Sequence, residues 1–193
     1  MRKHCRAFPL KIKVRFSFFA VLGFLICTDS EGVSFMCAAA CVLHELGHIA
    51  VMYAEKKPPF RITLYGGGIH IEGGSTDFFS AAAGIAVNIT LFLLFGLIPW
   101  ENRELRLFGV VNLLIGTFNL LPLGELDGKL MLDRALIRGF QPAAAVHISE
   151  LCEKLVLALT LPAVVILVFS GYLNYSAVIF LIYILAVEFL EKI

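Results

Sequence analysis

His44, Glu45 and His48 stand in the run His-Glu-Leu-Gly-His. On a helix, a separation of four residues puts two imidazoles on one face, one turn apart, where both can reach a single metal ion. A carboxylate beside them can take a proton from water at that ion and deliver it to a leaving amine. The chemistry this spacing serves is metal-assisted hydrolysis. So short a motif arises by chance, and its setting decides how it is read. It lies in the second half of an apolar run, where ionisable groups are costly and functional by default. That disfavours the competing reading, a polar patch that only hydrogen-bonds to neighbouring helices.

A catalytic zinc usually takes three protein ligands and keeps one position open. Two histidines leave one ligand to find, and Asp127, Glu125, Asp133 and His70 all lie near apolar segments. Cys37 and Cys41 share the face of His44 and His48 by helical spacing. Small residues packing a helix interface are the better reading of both. The chain has five cysteines, an odd number with no CxxC pair, which argues against a disulfide framework.

The elements that position these residues belong to a membrane protein. Of 193 residues, 59% are hydrophobic and only 16% charged, against about 25% charged in an ordinary soluble domain. A net charge of +1 gives no nucleic-acid footprint. Six segments approach the roughly 20 apolar residues of a bilayer-spanning helix: 16–27, 33–54, 78–100, 107–121, 155–169 and 175–190. The basic stretch 2–15 before the first of them imitates a signal peptide. No small-x-small cleavage site follows at Thr28, Asp29, Ser30 and Glu31, so a retained first transmembrane helix is expected. Residues 10–16 alternate apolar and basic side chains, the period of a strand. Residues 62–71 hold β-formers around Gly66, Gly67 and Gly68, which fits two short strands or a hairpin. Strands with unpaired backbone cannot face lipid, so both belong at the interface or around an enclosed cavity.

With the N-terminus in the cytosol and six alternating spans, 14 of the 16 Lys and Arg residues fall on the cytosolic side and only Arg103 and Arg106 outside. The positive-inside rule favours that orientation. It places both termini in the cytosol and the histidine pair nearer the cytosolic face.

The His-Glu-x-x-His helix, the stretch Asn119-x-x-Pro122-x-x-x-x-Asp127-Gly128 and the intervening Gly66-Gly67-Gly68 together resemble the site-2 protease family of intramembrane metalloproteases. The resemblance covers essentially the whole chain. It is nearest the compact bacterial branch that includes a sporulation protease acting on a membrane-tethered sigma-factor precursor. One departure is at 84–88, where the family often carries Gly-Pro and this chain reads Gly-Ile-Ala-Val-Asn.

The resemblance implies one Zn2+ per chain, held by His44, His48 and Asp127, with Glu45 as catalytic base. Asn88, Asn119 and the three glycines are candidates for supporting the substrate or the oxyanion. The expected fold is an all-α polytopic membrane protein of about six transmembrane helices with short membrane-associated β-strands. It forms a single membrane-embedded domain over 1–193, with no PDZ or CBS domain. The implied activity is zinc-dependent endoproteolysis in or near transmembrane segments, at the plasma membrane. The implied partners are a membrane-tethered protein substrate, the lipid bilayer and a regulatory membrane protein, with no nucleic acid. The alternative is a non-proteolytic membrane protein that binds or transports zinc, and retention of Glu45 disfavours it.

The charge partition predicts that cysteines introduced at positions 57 and 102 label from opposite sides of the membrane. Position 57 should react only from the cytosol, and its labelling by an impermeant reagent in intact cells would overturn the topology.

Overall fold

The computed structural model describes residues 10–28, 32–66, 68–75, 77–99 and 101–170. The alternating stretch at 10–16 forms strand β1, Lys11–Val14. The glycine-rich stretch forms a hairpin of β2, Pro59–Tyr65, and β3, Gly68–Gly73. The three strands make one sheet in the order β1-β2-β3. β1 runs parallel to β2 in the register Lys11 to Arg61, and β3 runs antiparallel to β2 with Tyr65 opposite Gly68. The Gly66 amide donates to Ser17 Oγ at 3.0 Å, which ties the hairpin turn to the first helix. Gly68 sits at φ +138 with open space where a Cβ would stand.

Helices α1, Phe16–Thr28, and α2, Val33–Ala54, follow β1. After the hairpin come α3, Phe78–Leu91, which continues as a π-helical turn over Phe92–Leu97, then α4, Arg103–Asn119. Asn102 starts α4 as an N-cap, its Oδ1 accepting from the amide of Glu104 at 2.8 Å. Two further helices, α5, Asp127–Gly139, and α6, Pro142–Phe169, end the described chain.

Helices therefore occupy five of the six apolar segments, and the sixth, 175–190, lies outside the described residues. α4 ends at Asn119, and Asp127 opens a separate helix, α5, which is too short and too polar to stand among the six apolar segments. Asp133, another candidate third ligand, also lies on α5 and accepts a hydrogen bond from Ser149 of α6.

Burial is inverted relative to a soluble domain. The largest fully buried side chains are Asn88, Asn112 and Ser80, while Phe16 is 85% and Phe35 79% exposed. α2 spans 22 residues and α3 with its π-helical turn 20, each about 30 Å or more at 1.5 Å per residue, which matches the hydrocarbon thickness. Only 28% of either apolar window is buried inside the protein. Apolar surface on this scale is what a lipid solvent tolerates and water does not. Two helices of the chain are thus long and apolar enough to cross a membrane, and they pack around a polar interior.

The close approach of α5 to the end of α4 depends on Gly128. A Cβ there would stand 2.0 Å from the Leu120 carbonyl oxygen. Elsewhere in a helix, Gly→Ala stabilises by about 1 kcal/mol. Here the backbone must move, and Gly128→Ala is expected to destabilise by about 1–3 kcal/mol, as overpacking does. Thermal unfolding in detergent measures it, and a raised midpoint would contradict the packing.

Candidate metal centre

α2 carries His44 and His48 on its buried face, with Glu45 half-buried beside them. α3 crosses this face closely because both helices have small residues at the crossing. A Cβ on Gly47 would stand 2.9 Å from the Ala83 carbonyl oxygen, and one on Gly84 would stand 2.4 Å from His48 Nε2 and 2.6 Å from His44 Nε2. Gly84 thus forms one wall of the site.

The third side arrives with α5. Asp127 Oδ2 lies 2.9 Å from His44 Nε2 and 3.1 Å from His48 Nε2. The two Nε2 atoms are 3.1 Å apart. These three residues form a cluster with metal-ligand character. Donors at about 2.0–2.2 Å from a tetrahedral zinc stand about 3.3–3.5 Å from one another, so the trio is within a few tenths of an ångström of that geometry.

The hydrogen bonds behind the histidines settle what the trio offers. His48 Nδ1 lies 2.7 Å from the Ser80 backbone carbonyl, which can only accept, so Nδ1 carries the proton. His44 Nδ1 lies 2.5 Å from Asn88 Oδ1 and donates to it. In the neutral imidazoles both Nε2 atoms then present lone pairs toward each other and toward a carboxylate oxygen. Three electron-rich atoms so close suit a cation among them, and two imidazoles with a carboxylate are a donor set that zinc accepts. The residues present fit the ion.

The other expected site residues fall as follows. Asn88 is completely buried, its oxygen on His44 and its amide donating to Asn112 Oδ1 at 2.9 Å. It supports a ligand from behind. Asn119 ends α4 and folds its amide onto the Ile115 carbonyl at 3.0 Å. Glu125 is exposed in the loop before α5, and His70 is exposed on β3 opposite Thr63. Cys37 and Cys41 are not in the cluster, and Cys41 is exposed. Gly66 and Gly68 flank the hairpin turn, and Gly67 lies outside the described residues. Sequence reasoning missed Asn112, Gly84 and Ser80. A lone amide at 112 inside the apolar run 107–121 was the available signal for the first. The other two depend on which helix faces α2, which one sequence does not disclose.

Gly84→Ala is expected to lower zinc affinity at least about tenfold, the range seen when a ligand's surroundings are disturbed. Competition with a chromophoric chelator measures it, with thermal stability as a control. Unchanged affinity would mean that α3 does not wall the site.

No protein-family model matches the chain, and no curated protein sequence does. Among solved structures, the chain is similar to the site-2 protease from Methanocaldococcus jannaschii, with a TM-score of 0.61 and 21% identity, over 92% of this chain and 87% of that one. The fold of this chain is the fold of that protease.

Proposed function

We propose that the chain is a zinc-dependent intramembrane endopeptidase of the site-2 protease family, hydrolysing peptide bonds in or near transmembrane segments of membrane-tethered proteins. The observation that carries this reading is the meeting of His44, His48 and Asp127 beside Glu45, on a helix apolar enough to cross a membrane. The shared fold supports it. A zinc ion held by the three ligands supplies Lewis acidity toward a carbonyl and acidifies a water.

The chain's own residues do the rest. Glu45 accepts the proton of the attacking water and hands it to the departing amine nitrogen. Asn88 and Ser80 keep the imidazoles aimed inward. The apolar helices shelter the site, and in the orientation that the charge partition favours, water would reach it from the cytosolic side.

A helical substrate hides its carbonyls and must unwind. In the sheet order β2 is central and already paired on both sides, which leaves β1 and β3 as the edge strands, and of these β3 is the one we assign to the unwound segment. β3 also leads into α3, which contacts both histidines. A regulatory membrane partner would act on access to this edge.

The two carboxylates have separate tasks, and variants should separate them. Glu45→Gln removes the base and spares the ligands. Cleavage of a model transmembrane substrate in detergent should fall by about 10²–10⁴ or more while zinc stoichiometry stays near one per chain. Asp127→Ala should lose both, since two imidazoles make a poor site where water enters. Full cleavage by Glu45→Gln would remove the mechanism. Zinc lost from Glu45→Gln and kept by Asp127→Ala would mean that ligand and base are exchanged.

A further inference from the structure

Behind His44 the hydrogen bonds continue past Asn88 to a second buried amide, Asn112, to which the mechanism above gives no part. Asn112 Nδ2 donates to the Phe108 carbonyl at 2.8 Å, Asn88 Nδ2 donates to Asn112 Oδ1 at 2.9 Å, and Asn88 Oδ1 meets His44 Nδ1 at 2.5 Å. Both asparagines are 0% exposed, so the bond between them is closed to water. Gly116, one turn beyond Asn112, brings α4 close enough: a Cβ there would stand 3.0 Å from Asn88 Cβ.

The direction of every bond follows from the far end. A backbone carbonyl only accepts, so the NH2 of Asn112 must face Phe108 and its oxygen must face Asn88. That oxygen only accepts, so Asn88 must turn its own NH2 to it and its oxygen to His44. His44 Nδ1 must then be the donor, and in the neutral ring Nε2 is left as a lone pair pointing at His48 and Asp127. Without the relay the opposite tautomer has a ready partner, because Asp127 Oδ2 at 2.9 Å accepts an Nε2 proton. A ring protonated on Nε2 cannot bind metal through that atom. We infer that Asn112 is a positioning residue of the metal centre: from α4, through Asn88, it imposes the His44 tautomer that leaves Nε2 free to ligate. The inference rests on the metalloprotease reading for its purpose, though not for its geometry.

The test replaces Asn112 and reads the ring directly. In Asn112→Ala a water can enter, and water donates or accepts equally well, so the direction is no longer imposed. In Asn112→Leu the space is filled and Asn88 is free to flip. Either variant should show the ¹⁵N signature of an Nε2-protonated His44 in metal-free protein with neutral imidazoles, where the unaltered chain shows Nδ1–H. Zinc affinity should fall about 10–100-fold. The double variant Asn112→Ala with Asn88→Asp should recover both, since a carboxylate at 88 only accepts and so restores Nδ1–H without Asn112.

An Nδ1–H signal and a zinc affinity unchanged in both single variants would overturn the inference. So would a loss of affinity that the double variant does not repair, which marks Asn112 as packing alone. If the unaltered chain binds no zinc, the protease reading fails, and the relay still stands or falls on the ¹⁵N signal of the metal-free protein. Should the Leu variant not fold, the Ala variant, which forces no side chain into the helix contact, carries the test.

Discussion

His44 Nε2, His48 Nε2 and Asp127 Oδ2 lie 2.9–3.1 Å from one another, in a site nearly closed to water. Such an arrangement costs free energy unless a cation or a shared proton sits among the three, because each lone pair has given up hydration. The rest of the interior can be understood as the means of holding these atoms together. Two ligands come with α2 at no further cost, since a spacing of four residues sets them on one face. The third must be brought from α5 and kept there, and the glycine at 128 is the physical condition for it: α5 can start against the Leu120 carbonyl only where there is no side chain.

Lipid removes the force that would do this work in water. Apolar surface gains nothing by turning inward when the solvent is itself hydrocarbon, so helix contacts rest on close van der Waals packing and interhelical hydrogen bonds of about 0.6–2 kcal/mol each. The chain meets that condition where α3 and its π-helical turn cross α2 and α4. Gly47 faces Ala83, Gly96 faces Gly109, and Gly116 faces Asn88. The phenylalanines that a soluble protein would bury are left outside, and the amides it would leave outside form the core.

How much of this the sequence discloses depends on how local each feature is. The histidine pair and Glu45 follow from spacing within one helix. β1 follows from strict alternation at 10–16, and the hairpin from β-formers around glycines. The third ligand does not follow from spacing: Asp127, Glu125, Asp133 and His70 are equivalent until a family resemblance or a structure separates them. α5 escapes because its apolar face is narrow, with Lys129, Asp133, Arg134 and Arg138 between its leucines, and a search for spanning helices rejects it. The roles of Asn88, Asn112 and Gly84 depend on which faces of α2, α3 and α4 meet. One sequence holds that information only as small and polar residues in places where lipid-facing side chains would otherwise be large and apolar.

The two histidines differ in what fixes them, and that difference gives α4 its importance. His48 is aimed by a single carbonyl of α3, and nothing beyond that helix contact is needed. His44 is aimed through α3 by an amide of α4, and Asp127 is placed by the packing of Gly128 against Leu120 and Leu121, just past the end of that same helix. One element that supplies no ligand therefore controls two of the three. If α4 shifts along α2, Asn88 loses the bond that orients it, and the start of α5 is carried away from the histidines. The trio then loosens at two corners together, while His48 keeps its place. A centre built this way is sensitive to the α2–α4 relation and tolerant of movement in the sheet, which makes no ligand-orienting contact among the described residues. Under the proposed reading, a substrate paired with the β3 edge would leave the three side chains undisturbed.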